Sequence, residues 1–516
     1  MFRRLFVSQF KAISHKKASL LLMMFALLSY VLGFVRDLLV AFYFGASAST
    51  DAFFSAYLVP DAIYIITAAG VLSGVFMPML GKIKQKSQEA YLDYMSAFLF
   101  VNTVFTGILA VVAYIFMPEI LDLLMAQASA ETRELSVELS RILLWSPILF
   151  SLANTFSSFL MDNKHYFAYS LGPVLYNVGI IASLFLFAGD LGIKAAVYGV
   201  VFGLILMLCV RLLDFKTLNF KLRFRFWDKH IVESLKLAVF KVASILTVQI
   251  SVMVFSYVAF SLSEGSLSAY NYAKNVQSFA VSLFGISIAQ AVFPYFIDLR
   301  VKNDLRGLNK MLKKTFLKIL FFAWPSAIGL FLVAEDLVQV LFMRGAFDET
   351  AVALTVSVLL VLAISIPFEA INQFLVRVYY AFLDTLRPVL IALLFLTSNL
   401  LAAFYLAPIL GVKAFAIGYI VGSFLQMLGL LYLLKSFQLK RRFFVSLDAL
   451  KILLAGLLMG VCVFAVGGLQ VSVFMSVVLR VLCGVVSFTI FSSYFGVFHV
   501  SDLKIPWQSG SKGVKI

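Results

Sequence analysis

Fourteen apolar runs, each long enough to cross a bilayer, follow one another along 516 residues with mostly short polar connections between them. Their approximate limits are 18–44, 52–81, 92–117, 135–161, 167–188, 191–215, 231–263, 268–299, 312–343, 350–382, 386–408, 411–437, 446–468 and 472–497. A spanning helix takes about 20 residues, so fourteen occupy roughly 280 positions and leave no room for a soluble catalytic domain. Inside a bilayer the backbone must satisfy its own hydrogen bonds, which limits a spanning chain to helices or a closed barrel. Barrel strands alternate apolar and polar residues over about 10 positions, whereas these runs are continuous. Only 13% of the residues are charged, against about 25% in soluble domains. The expected fold is an all-α polytopic membrane protein of about fourteen helices.

Several chemistries find no support. Cys209, Cys462 and Cys483 lie far apart within apolar runs, without the paired spacing of a disulfide framework or a redox motif. His15, His165, His230 and His499 fall in or beside polar connections with no ligand partner at helical spacing, so no metal site is expected. No GxxxxGK[ST] phosphate loop occurs. No catalytic residues and no cofactor are expected. The first run is too long for a cleaved signal peptide, whose apolar core is about 7–15 residues, and reads as the first span.

The net charge of +16 could suggest nucleic acid, but the placement of the charges points to topology. With the N-terminus inside, the termini and even-numbered connections hold 31 Lys and Arg, among them Lys82, Arg211, Lys216, Arg300, Lys313 and Arg442. The opposite face holds four: Arg133, Lys194, Arg344 and Lys413. Cytoplasmic connections carry such an excess. Both termini are therefore expected to be cytoplasmic, with anionic lipid, not nucleic acid, beside the basic face.

The chain also contains a copy of itself. LGIKAAVYGVVFG at Leu191–Gly203 matches LGVKAFAIGYIVG at Leu410–Gly422, 219 residues on. Pro173-Val174-Leu175 pairs with Pro388-Val389-Leu390, and Pro147 with Pro367. A shared GxxxG packing pattern would explain the glycines but not the Leu-Gly-Ile/Val-Lys-Ala entry. Spans 1–6 then correspond to spans 7–12, with 13 and 14 as an appendix. This divides the chain into 1–230, 231–445 and 446–516. Because six is even, the copies enter the membrane in the same direction. Parallel repeats of this kind place a substrate site between the halves, the architecture of an alternating-access transporter.

Ionisable groups within spans are costly and mark pathways. Arg36 and Asp37 lie in span 1, Lys236 and Lys241 in span 7, Lys274 in span 8, Glu369 and Arg377 in span 10 and Arg480 in span 14. Arg377, Arg480 and Lys236 are near enough to span ends to snorkel. Arg36, Lys241 and Lys274 are not. Neighbours at i,i+1 do not face each other on a helix, so Asp37 is not expected to cancel Arg36. Three cations in a cleft suit a phosphate-bearing substrate. The structural alternative is pairing with Asp51, Asp61 or Glu369.

SYVLGFVRDLLVAFYFGASASTDAFFSAYLVPD (Ser29–Asp61) resembles the span 1–2 signature of the MviN/MurJ family, the flippases for the peptidoglycan precursor lipid II. PVLYNVGII (Pro173–Ile181), LFGISIAQAVFP (Leu283–Pro294), VAEDLVQVLFMRGAFDETA (Val333–Ala351) and RVYYAFLDTLRPV (Arg377–Val389) resemble it too. The resemblance runs from about residue 18 to 437, and spans 13–14 fit the family's extra pair. It implies the two-lobed fold of the multidrug/oligosaccharidyl-lipid/polysaccharide exporter superfamily, a cationic cavity lined by spans 1, 2, 7 and 8, and a groove at spans 13–14 for a polyprenyl tail. Arg36, Asp37 and Asp51 match family positions. Tyr30 and Tyr64 stand where the family usually has Arg, Ala69 where it has Glu, and Lys274-Asn275 where it has Asp-Arg.

The resulting expectation is a flippase, in a bacterial inner membrane, for a polyprenyl-pyrophosphate-linked saccharide, lipid II first among them. The substrate-binding residues would be Arg36, Asp37, Asp51, Tyr64, Lys241, Lys274 and Asn275. Cell-wall synthesis proteins are conceivable partners. The alternatives are an exporter of small amphiphiles coupled to cations, a carrier of another lipid-linked oligosaccharide, and a non-transporting scaffold.

Overall fold

The computed structural model describes residues 15–69, 76–85, 87–218, 226–228, 230–232, 249–439 and 446–497. Among these the chain is helical throughout, and twelve helices are long and apolar enough to cross a membrane. They correspond to expected spans 1, 3–6 and 8–14. Spans 2 and 7 fall partly outside the described residues, so the count of fourteen stands as an expectation. Large apolar side chains such as Val111, Ile115, Leu186, Phe464 and Val485 point outward, the inversion of a water-soluble surface that a lipid solvent demands.

Polar residues in the connections start several of these helices. Ser87 accepts from the Ala90 amide at 3.0 Å, Asp304 from Gly307 at 2.8 Å and Ser446 from Ala449 at 3.3 Å. Each satisfies a donor that the first helical turn leaves orphaned. Span 2 is not one continuous helix. It comprises Ala48–Ser55, Leu58–Tyr64 and a π-turn at Ile65–Ala69. Pro60 has no amide hydrogen to donate to the Ala56 carbonyl, which breaks the ladder there.

The chain forms two compact units, Met1–Ser268 with Arg344–Ala351, and Ala269–Met343 with Val352–Ile516. In the first, Phe76, Tyr91, Tyr94 and Phe159 are fully buried in one cluster, and Leu139, Ile180, Val197 and Leu204 in another. Helices Phe167–Leu191 and Lys194–Thr217 approach closely through glycines. A Cβ on Gly199 would lie 2.7 Å from the Ile180 Cα, and one on Gly203 2.5 Å from the Tyr176 carbonyl oxygen. His165 is bonded to Asp214 at 2.7 Å, which ties the connection after span 4 to the end of span 6.

In the second unit Phe296, Phe316, Phe374 and Tyr379 form the core. Helices Leu386–Leu401 and Lys413–Leu433 pack by the same device, with Gly418 against Ala402 and Gly422 against Phe395. Spans 13 and 14, Leu447–Val466 and Val473–Tyr494, belong to this unit and pack on the long helix Leu305–Phe342. Trp324 donates its Nε1 hydrogen to the Leu453 carbonyl at 3.1 Å. Arg480 does not snorkel. It meets Asp336 at 3.3 Å and donates to the Leu332 and Gly467 carbonyls, both at 3.1 Å. Three inward acceptors within reach outweigh the headgroup layer.

Candidate substrate-binding residues

Arg36 lies in helix His15–Phe44, and its guanidinium curls back on its own neighbour. Nε and Nη2 donate to Asp37 Oδ1 at 2.9 and 2.8 Å. This corrects the expectation that Asp37 leaves Arg36 uncancelled. Adjacent Cβ atoms do diverge on a helix, but the arginine stem is long enough to fold across the gap. Nη1 reaches the Asn177 Oδ1 at 3.4 Å. Asn177 in turn donates to the Ser29 carbonyl and hydroxyl, at 3.1 and 3.2 Å, and to the Pro173 carbonyl at 3.1 Å. One buried amide therefore fixes span 5 to span 1 and aims the arginine. Tyr57 and Tyr176, hydrogen-bonded to each other, lie within electrostatic reach of the same guanidinium.

Asp51 is placed apart from this group. Its carboxylate accepts from the Gly265 and Ser268 amides, both at 2.8 Å, and from the Ser268 hydroxyl. It caps the first turn of the helix that begins at Ser266. Gly265 has φ +80, and a Cβ there would collide with the Ala46 carbonyl, so this turn requires glycine. Tyr64 accepts from Asn154 Nδ2 at 3.3 Å, and Asn154 Oδ1 accepts from Arg211 Nη1 at 3.1 Å. Lys241 lies outside the described residues.

In the second unit Lys274 lies on helix Ser266–Val281. Its ammonium sits 3.6 Å from the centre of the Tyr419 ring and donates to Gln277 Oε1 at 2.9 Å. Gln277 is fully buried and bonded to Ser365 at 3.0 Å. Glu369 lies within electrostatic reach of Lys274, hydrogen-bonds Tyr419 and accepts from Gln373 at 2.8 Å. Asn275 is half-buried beside Lys274. The structure therefore pairs Arg36 with Asp37, against the expectation from helix spacing, and brings Glu369, one of the acids the sequence offers as an internal partner, within electrostatic reach of Lys274 without an ion-pair contact.

Two residues were missed. Asn177 stands in the motif Pro173–Ile181, where a lone amide in an apolar run was its only signal. Arg211 was counted as a cation of the connection after span 6. It is 2% exposed within helix Lys194–Thr217, about 9 Å of helix from that helix's end.

A sequence model described as lipid II flippase MurJ matches residues 40–503. A probable lipid II flippase MurJ of Aquifex aeolicus is 31% identical over 369 residues, covering 71% of this chain and 72% of that protein. The lipid II flippase MurJ of Thermosipho africanus is 28% identical over 485 residues, 93% of this chain and 96% of its own. A solved lipid II flippase MurJ in an inward closed conformation matches with a TM-score of 0.81 at 26% identity, over 92% of this chain and 98% of its own. An inward-facing multidrug resistance MATE transporter of the MOP superfamily matches in fold, with a TM-score of 0.63 at 16% identity over 78% of this chain and 93% of its own. With its motifs, its helical architecture and a family match over nearly the whole length, the chain belongs to the MurJ family of lipid II flippases.

Proposed function

We propose that this protein carries a polyprenyl-pyrophosphate-linked saccharide, lipid II, from the cytoplasmic to the outer leaflet of a bacterial inner membrane by alternating access. Family membership supports the cargo. The observation that carries the reading is that each compact unit holds a cation inside a span, among polar groups and away from a headgroup layer: Arg36 on Asp37 and Asn177, Lys274 on Gln277 and Tyr419. Lys274 is held by neutral groups that a phosphate could replace, and Arg36 keeps one edge, Nη1 on the Asn177 amide, that a phosphate could take while Asp37 stays paired. Arg36 supplies a planar fork and Lys274 a point charge. Asp37 and Asn177 position the fork, Tyr64 and Asn275 add hydrogen-bonding capacity, and Lys241 is a third cation by its place in the sequence. Asp51 acts through the turn it caps. No covalent step is involved and no residue is catalytic. Both termini are cytoplasmic, the three chain segments are 1–230, 231–445 and 446–516, and anionic lipids neighbour the basic face.

The test is complementation of a strain depleted of its lipid II flippase, paired with flipping of fluorescent lipid II by the purified protein in liposomes. Growth and flipping are the expected results. A protein that inserts normally, fails to complement, and exports small amphiphilic cations would overturn the cargo.

A further inference from the structure

Among the described residues, Arg211 is buried in the first unit without a counter-charge. Its Nη1 bonds the neutral Asn154 amide, and its Nε has no acceptor. The carboxylate one turn along the same helix, Asp214, is bonded through Oδ1 to His165, and its Oδ2 makes no hydrogen bond to Arg211. Around the guanidinium stand the phenols of Tyr64 and Tyr169, both neutral groups. Space for it is built into the neighbouring helix, because a Cβ on Gly172 would lie 2.7 Å from Nη2. A buried, unpaired cation is among the most costly groups a fold can carry, and within a membrane span it is by default a functional residue.

The internal copy shows that the fold itself does not require the charge. Carrying the offset of 219 along the helix puts Leu430 at the position of Arg211. The offset of 220 between Pro147 and Pro367 puts Phe374 at the position of Asn154. Both are core residues, 0% and 1% exposed. The second unit fills with hydrocarbon the place where the first keeps a guanidinium and an amide.

We propose that Arg211, Asn154 and Tyr64 form a phosphate-binding subsite within the first unit, taking a phosphoryl group of the lipid-linked substrate; this rests on the flippase reading above. Arg211 offers an unpaired N–H and Tyr64 its own O–H, since that oxygen accepts from Asn154 and keeps its hydrogen to donate. The amide between them spaces the two donors at one hydrogen bond from each. In the state described the fork is stowed against Gly172. A phosphate oxygen engages it by replacing the Asn154 carbonyl, an exchange of a neutral acceptor for a charged one that favours the anion.

The probes are undecaprenyl diphosphate, undecaprenol as the lipid without phosphate, and inorganic pyrophosphate as the phosphate without lipid. Affinity is measured on the full-length protein in detergent, and thermal stability is measured alongside it. The parent should bind the diphosphate lipid and not the alcohol. R211M should bind it at least tenfold more weakly while its unliganded melting temperature equals or exceeds the parent's, because an unpaired buried charge has been removed. R211K should lose binding severalfold, having charge without the fork. G172A, which pushes the guanidinium out of its seat, should do likewise with the charge intact. Binding of pyrophosphate with the same dependence on Arg211 would assign the subsite to phosphate alone; dependence seen only with the lipid would assign it to the headgroup in place. Parental affinity in R211M, or in both R211K and G172A should R211M not fold, overturns the subsite and leaves the flippase reading intact. A parent that binds neither phosphate probe overturns both. A lower melting temperature in R211M with unchanged affinity would make Arg211 structural.

Discussion

The two copies of the Leu-Gly-Ile/Val-Lys turn join their helices in the same way. Gly192 has φ 56 and ψ −143, and Gly411 has φ 59 and ψ −144. The amide of each bonds the carbonyl four residues back, Ala188 at 3.1 Å and Ala407 at 2.9 Å. Each receives the same bond in return, from Ala195 and from Ala414, at 3.1 Å. Beyond the turn the copies part. The first pair of helices surrounds a charged group, Arg211, and the amide Asn177 that aims Arg36. The second surrounds neutral amides: Asn372 donates to the Ser423 carbonyl at 2.8 Å, with Gln426 beside it. Duplication preserved what closes the backbone and left the buried polar groups free to diverge.

The largest effect should come from Arg36. Arg36→Ala should reduce flipping of lipid II by purified protein to background, since it removes the fork and strands Asp37 without its partner. Arg36→Lys should keep a fraction. Parental flipping by Arg36→Ala would make the Arg36–Asp37–Asn177 group a brace between spans 1 and 5 and nothing more.

Next in size is a stability effect in the second unit. Arg480 and Asp336 join span 14 to the long helix Leu305–Phe342, and Ser476 donates to the same carboxylate at 2.6 Å. Removing one partner of a fully buried pair costs about 3–5 kcal/mol, and this pair, with side chains 18% and 20% exposed, should cost less. Asp336→Asn and Arg480→Ala should therefore each lower the thermal midpoint in detergent by several degrees. A change of under about 1 kcal/mol would return Arg480 to the snorkelling side chains and leave spans 13–14 held by apolar contacts alone.

A smaller effect is expected at Lys274. Lys274→Met should slow transport roughly tenfold, less than Arg36→Ala, because it leaves no acid in direct ion-pair contact stranded. Tyr419→Leu should reproduce part of that loss, since a desolvated cation–π contact is worth about 2 kcal/mol. If Lys274→Met is as severe as Arg36→Ala, the two units contribute equally to substrate binding.

Helix type and the places of twelve spans were legible in the runs because lipid imposes one simple rule on every spanning segment. The repeat was legible because a positive-φ glycine and a small-residue contact tolerate few substitutes. The state of the charges was not. Whether Arg36 points at solvent or folds onto Asp37 depends on several rotatable bonds and on Asn177, 141 positions away. Arg211 and Arg480 look alike in a sequence, a lone arginine near the end of an apolar run. Among the described residues one is buried without a paired acid and the other clamps Asp336. The break in span 2 was readable from Pro60 but was masked by the hydrophobic run around it.

The smallest effect tests the comparison itself. Gly192 and Gly411 both adopt a positive φ that a side chain resists, and a Cβ at either would meet nothing within 4 Å. Alanine at each position therefore probes backbone strain alone, with no steric clash to confuse it. Strain of this kind costs about 1–3 kcal/mol. Gly192→Ala and Gly411→Ala should lower thermal stability by the same amount, and the double variant by the sum, since the turns share no partner. By contrast Gly203→Ala, aimed at the Tyr176 carbonyl, should cost more than either through overpacking. Equal, additive losses at Gly192 and Gly411 identify the turns as one duplicated element. A loss at one position and none at the other would mean that two unrelated helix pairs had arrived at a similar bend.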